Sequence, residues 1–330
     1  MKNIIKPSLI TLSILLLSTP VHAETLTVYC GRGEDLVAPL LEQFEQSSGI
    51  DLEIRYGGTA ELAVTILEEG GRSPADLYIG QDAGALGALS KAGVFTTLPD
   101  DIMQAVPERF RSSAATWVGI SGRARVVVYN TERLTEADLP ATLEGFTDPA
   151  WKGRLGWAPE NGSFQSFVTA LSVERGREAA LSWLRGIHAN GPRVYAKNSA
   201  IVAAVAAGEI DAGFVNHYYL YSARRSRPDI TAANYYLPGE SAGNLVNVAG
   251  VGVLASSEKT DAALALVKFL LSETAQQYFV EKTAEYPVLE SVPVAGDLKP
   301  LNMVPTLSID LNDLDDLEAT LQLIHEAGVL

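Results

Sequence analysis

One cysteine, Cys30, is all the sequence contains, so no disulfide can close within the chain and multi-cysteine zinc sites are excluded. We read Cys30 as a small buried residue at a strand end rather than a ligand. Histidine is scarce as well. His22, His188, His217 and His325 lie far apart in sequence, which disfavours a histidine-rich transition-metal site. Any metal bound here must be held by oxygen. Beyond the first residues no apolar run reaches the about 18 residues of a membrane-spanning helix, so nothing later in the chain is expected in a membrane. Basic residues are also in short supply: 25 Lys and Arg face 40 Asp and Glu, a formal charge of −15. So acidic a surface argues against nucleic acid and anionic membranes as partners. It suits a cationic cargo, or simply solubility.

The N-terminus reads as an export signal, residues 1–23. Lys2 and Lys6 form a basic start, and Leu9 to Leu17 is an apolar stretch too short to cross a bilayer. Pro20 breaks it before a small-residue cleavage site, Val21-His22-Ala23. The exported chain is expected to begin at Glu24. No cysteine stands at the cleavage point, so no lipid anchor is expected.

About 300 residues remain, enough for two domains or one bilobal unit. Leu26 to Tyr29 reads as a strand ended by Gly31-Arg32-Gly33, and Leu36, Leu40 and Phe44 mark a helix stopped by Gly49. Leu52, Ile54 and Tyr56 alternate with charged residues as in a half-buried strand. Helices follow at 59–69 and 82–91, around a strand at 76–79. This strand–helix alternation predicts an α/β fold with mostly parallel sheets and helices on both faces. The pattern restarts with a long strand over 120–129. Further strands are expected at 154–157, 194–195, 212–215 and 245–254, and helices at 163–174, 199–207, after Asn216 and at 261–271. Leu314, Leu317, Leu321 and Ile324 mark a last amphipathic helix running to Gly328. No linker separates the halves, so the chain is expected to cross between two lobes near Ser121 and Gly243. The lobes divide as 24–122 with 246–296, against 123–245 with 297–330. Ligands of such sheets bind beyond the carboxyl ends of the strands, where the loops carry the informative residues.

Tyrosine placement is the strongest of these signals. Tyr218 and Tyr219, with Tyr221, follow the strand Asp211 to Val215 and open a helix, where adjacent side chains can turn into one cleft. A phenol ionises near pH 10 on its own, so a phenolate at neutral pH needs a strong positive charge, such as a trivalent metal. Hard cations favour such anionic oxygen. Taken alone, the pair also fits an aromatic core or a cleft that stacks on organic solutes. On the strand 123–129, Arg123, Arg125, Val127 and Tyr129 share one face, and two guanidiniums there are either salt-bridged or turned to an anion. Arg32 stands between two glycines at the end of the first strand. Asn161-Gly162-Ser163 and Asn198-Ser199 each precede a helix, with capping side chains and free N–H groups suited to an oxyanion.

Taken in order, several stretches resemble one family across nearly the whole exported chain: Val28-Tyr29-Cys30-Gly31-Arg32-Gly33, Ser73-Pro74-Ala75-Asp76-Leu77, Ser121 to Tyr129, Tyr195-Ala196-Lys197-Asn198-Ser199, Asn216-His217-Tyr218-Tyr219 and Glu285-Tyr286-Pro287. The sequence is similar to the periplasmic ferric-ion-binding proteins of bacterial iron ABC importers. The resemblance implies a two-lobed periplasmic binding protein of type II, like a transferrin lobe. It would be no enzyme, and would act as a monomer in the periplasm that delivers Fe³⁺ to an inner-membrane permease. It also implies that Tyr218 and Tyr219 are iron ligands. One branch of that family adds a histidine and a glutamate, but Gly33 and Gln81 stand at those places here. The chain is similar instead to a branch with three tyrosines and carbonate. Tyr129 is then the third phenolate, and Arg32, Arg123, Asn161, Gly162, Ser163 and Asn198 hold the anion. Two rivals stay open: the same scaffold loaded with a polyamine or oxyanion, and a secreted hydrolase using Ser163. No Gly-x-Ser-x-Gly elbow surrounds that serine.

Overall fold

The computed structural model describes residues 24–294, 296 and 298–330, so the expected export signal lies outside the described residues. Two sheets share one long strand. The first sheet is built from β1 (Thr25–Cys30), β2 (Asp51–Tyr56) and β3 (Leu77–Gly80), with β4 (Val118–Asn130) entering at its edge. The second holds β5 (Leu155–Trp157), β6 (Arg193–Val194), β7 (Ala212–Asn216) and β8 (Ala232–Tyr235), while β9 (Val246–Val253) returns to the first. The first sheet runs β2-β1-β3-β9-β4, and β4 continues into the second, where it lies between β7 and β8. The outer ladders are parallel, as the strand–helix alternation requires: β1 with β2 and β3, and β5 with β6 and β7. Around β4 and β9 the pairing is antiparallel.

Strand β4 joins the two lobes. Val118 to Ala124 pairs with β9, the register slips between Gly119 and Ser121, and Arg125 to Tyr129 pairs with β7. Every residue of β4 is buried, so it carries no alternation of apolar and polar residues. The other expected crossing, at Gly243, is a tight turn over Ala242–Asn244 that leads into β9.

The helices fill the gaps between strands. Helix α1 (Glu34–Ser48) buries Val37, Leu40, Leu41 and Phe44 and stops where Gly49 adopts a left-handed φ of 72°, its N–H donating to the Glu45 carbonyl. Helix α2 (Thr59–Glu69) buries Leu62, Ala63 and Ile66. Helix α3 (Ala83–Lys91) is capped by Asp82 and carries Gly84 where a Cβ would lie 2.6 Å from the Leu314 carbonyl oxygen. Next come α4 (Asp100–Ala105), α5 (Gly162–Arg175) and α6 (Arg177–Ala189), then α7 (Asn198–Ala206), α8 (Tyr218–Ser226), α9 (Thr260–Leu270), α10 (Glu273–Tyr278) and α11 (Leu317–Glu326). Helices α4, α6 and α10 and strand β8 have no counterpart in the elements expected from sequence. Helix α6 packs Trp183 edge-on to Phe214 and Phe167, at ring distances of 5.3 Å each, in an aromatic core that backs α5.

The C-terminal segment departs from expectation. Leu314 belongs to a separate turn, Leu311–Asp315, that rests on α3 of the first lobe, while α11 lies on α5 and α6 of the second. The segment thus packs on helices at both sides of the cleft. Of the expected stripe Leu314 and Ile324 are buried while Leu317 and Leu321 are exposed, so α11 turns Thr320, Leu323 and Ile324 to the core.

Candidate metal and anion site

Register decides which side chains meet. In the antiparallel β4–β7 ladder Asn216 lies opposite Arg125, and the His217 N–H donates to the Ala124 carbonyl. The chain therefore leaves β7 beside the two arginines and turns into α8, whose first residues are Tyr218 and Tyr219. Their rings stack at 4.2 Å with 28° between planes. Tyr218 is buried and Tyr219 half-buried, and both line a cleft of about 530 Å³ whose walls come from both lobes. Burial, and next the neighbouring Tyr219, push the Tyr218 phenol well above its ordinary value, against the pull of Arg123. With no added cation it is a neutral phenol.

The guanidiniums occupy the deep end of the same cleft. Arg125 donates to the Phe214 carbonyl at 3.0 Å and to Ser163 Oγ at 3.5 Å, and its head lies over the rings of Phe164 and Phe167. Burial lowers its pKa to about 9, and Tyr219 opposes this. Arg123 donates to the Gln81 carbonyl, linking the lobes. Each arginine keeps its Nε buried without a partner, as Gln81 does its Oε1. An unpaired buried polar atom costs about 1–3 kcal/mol, so this wall is short of partners.

The N-terminus of α5 forms the facing edge. Asn161 Oδ1 accepts from the Ser163 N–H at 3.1 Å and from Ser163 Oγ at 2.6 Å. Asn198 stands behind, donating from Nδ2 to Asn161 Oδ1 at 3.1 Å and to Ser163 Oγ at 3.2 Å. Asn161, Gly162 and Ser163 line the cleft, while Asn198 is buried and braces them from outside it. A guanidinium pair facing a helix N-terminus suits a small oxyanion.

Two expected site residues are elsewhere. Tyr129 does share a face of β4 with Arg123 and Arg125, but it pairs with Ala212 at the opposite end of β7 from the tyrosine pair. Four residues of strand amount to about 13 Å. Tyr129 packs into the core beside neither Tyr218 nor the cleft, and burial raises its pKa further. Same-face periodicity fixes the side of a strand, not the position along it. Arg32 is likewise turned inward. Its Nη2 donates to both Glu285 oxygens at 3.1 and 2.8 Å, and its Nη1 to Ser121 Oγ at 3.1 Å. Both partners of this ion pair are fully buried, and Arg32 does not line the cleft. Cys30 is buried next to it, and burial pushes its thiol up to about 11.

Several lining residues went unassigned in the sequence. Arg125 was legible from its alternation with Arg123. Glu61, Asp82 and Asn247 carried no local signal, because three separate elements bring them to the cleft. Asp82 caps α3; burial raises its carboxyl, and Arg123 works against that.

Comparison with known proteins now bears on this geometry. Residues 40–303 match the family described as bacterial extracellular solute-binding protein. The chain belongs to that family. It is 33% identical to the major ferric iron-binding protein of Neisseria meningitidis serogroup B over 333 residues, covering 100% of each chain. Iron-bound HitA from Pseudomonas aeruginosa superposes with a TM-score of 0.86 at 33% identity, over 92% of this chain and 99% of that one. The Trichodesmium protein (IdiA, FutA) solved with iron and citrate gives 0.82 at 28% identity, over 93% and 100%. These relatives are iron-binding transport proteins, and the two-lobed α/β architecture is theirs. As a solute-binding protein, this chain is no enzyme, which removes the Ser163 hydrolase from consideration.

Proposed function

We propose that this protein binds ferric iron in the cleft between its lobes, in the periplasm, and hands it to the inner-membrane permease of an ABC importer. The observation that carries the reading is the stacked pair Tyr218–Tyr219 at 4.2 Å, in one cleft with two buried guanidiniums. The ferric-iron-binding relatives support it. Fe³⁺ supplies the charge that turns both phenols into phenolates, each ligand shedding a proton as it binds. Two phenolates leave one positive charge and several coordination positions unfilled. An oxyanion such as carbonate offers two oxygens for these positions. Arg123 and Arg125, with Asn161, Gly162 and Ser163 and Asn198 behind them, fit such an anion through charge and hydrogen bonds. On this reading the lobes close as 24–122 with 246–296 against 123–245 with 297–330, hinged at β4 and the turn before β9. Tyr129 and Arg32 take no part.

A visible titration of purified protein with ferric iron tests the assignment. Phenolate-to-iron charge transfer should colour the parent and disappear in Tyr219→Phe, and bicarbonate should strengthen binding. A colourless parent would defeat the ferric reading. Colour and affinity that ignore bicarbonate would defeat the anion.

A further inference from the structure

We infer that Arg225 is a positioning residue for the tyrosine pair: from the far end of α8 it fixes the axis of the helix that presents Tyr218 and Tyr219 to the ferric ion. This rests on the ferric reading and adds to it a residue outside the cleft. The tyrosine pair opens α8, and Arg225 stands near its other end, about 10 Å along the axis from Tyr218. Arg225 does not line the cleft. Its side chain crosses instead to the segment that follows α10. There Nη2 donates to the Glu281 carbonyl at 2.7 Å, and Nη1 donates to the Lys282 carbonyl. A planar guanidinium that meets two adjacent backbone carbonyls is fixed in direction as well as in distance.

The near end of α8 is tied to the same segment. His217, the residue before the helix, donates from Nε2 to the Ala284 carbonyl at 2.9 Å. One attachment would let the helix pivot, whereas two at opposite ends set its axis. The segment that receives both is itself held fast. Phe279–Thr283 is a π turn, a form that recurs at functional sites, and Ala284 closes it with a left-handed φ of 58°. A residue with a Cβ keeps that strained conformation only where its surroundings over-determine it. Here Tyr278 donates to the Leu36 carbonyl at 3.1 Å, and Thr283 Oγ1 to the Glu285 carboxylate at 3.1 Å. Tyr286 exchanges backbone hydrogen bonds with Gly122 on β4, at 2.7 and 2.8 Å. Arg225 therefore ties the ligand helix to a fixed frame. Metal–ligand distances tolerate only about 0.2 Å, so a small tilt of α8 would spoil the ferric shell.

Charge alone predicts the opposite sign. Arg225 is a cation on the helix that meets Fe³⁺, so by Coulomb's law its removal should tighten binding. Competitive titration of the whole protein with ferric nitrilotriacetate in bicarbonate, followed by visible spectra, separates the two. Arg225→Gln should weaken ferric affinity about tenfold and shift the maximum of the phenolate-to-iron band. Arg225→Lys, which keeps one donor, should recover part of both. Arg227→Gln removes a charge beside the same helix end and should bind within about twofold of the parent. Parent-like or tighter binding by Arg225→Gln would overturn the inference. So would a loss of affinity with the band unmoved, or equal losses in Arg225→Gln and Arg227→Gln; each leaves the ferric site standing. A parent that takes up no iron would overturn the ferric reading and this inference together.

Discussion

Tyr218 does its work through its neighbours. Buried against Tyr219, its phenol stays neutral until a cation arrives, so each phenolate bond to iron must displace a proton. Protons and metal therefore compete, and affinity should rise with pH, by up to about tenfold per unit for each proton released. Iron titrations between pH 6 and 8 should show that slope, and a flat profile would mean that no phenolate forms. Tyr218→Phe should cost more than the roughly 10–100-fold attached to outer-shell partners of a metal. Tyr129→Phe, at the far end of β7, should bind iron within about twofold of the parent. Comparable losses in the two variants would return Tyr129 to the site.

Elements explain why Arg32 does not line the cleft. The turn after β1 delivers it against the segment that follows α10, where Glu285 accepts its hydrogen bonds. Burial alone would raise the Glu285 carboxyl, but Arg32 and Arg123, with hydrogen bonds from Arg32 and Ser121, hold it below the usual range. Removing one partner leaves a buried charge uncompensated, which costs about 3–5 kcal/mol. Glu285→Ala should lower the urea unfolding free energy by that amount, whereas the bicarbonate dependence of iron binding in the folded protein stays as in the parent. A loss of bicarbonate dependence with stability unchanged would place Arg32 at the anion after all.

At the scale of the molecule, His217 ties the lobes together. Its Nδ1 accepts from the Ala124 N–H at 3.1 Å, so Nε2 carries the hydrogen and donates to the Ala284 carbonyl at 2.9 Å. The ring also stacks on Tyr286 at 4.6 Å. Burial lowers its pKa to about 4, with hydrogen bonds and the Glu285 charge only partly resisting. The unfolded chain takes up a proton at its ordinary pKa near 6.5, and the folded chain does not until about 4. The stabilisation is therefore complete above pH 6.5 and drains away as pH falls towards 4, to a total of about 3 kcal/mol. Urea melts of iron-free protein from pH 7 to 4.5 should show that decline, flattened in His217→Gln. A variant with the parent's pH profile would exclude His217 as the source.

Much of this was legible in sequence, because it depends on neighbours along the chain. The strand and helix periods of the first lobe, the stop at Gly49, the Asn161 cap and the tyrosine pair at a strand–helix junction are local patterns, and each has its counterpart in the structure. Long-range assignments had no such support. Arg123, Arg125 and Tyr129 share one face of β4, yet only the β7 register separates the first two from the third. Gly-Arg-Gly at the end of β1 says nothing of Glu285, which is 253 residues away. Leu317 and Leu321 read as core positions on α11 because the helical period cannot tell which side of the helix meets the protein. Sequence determined the elements and their chemical endowment. Register and packing, which join residues hundreds of positions apart, decided which of them face the cleft.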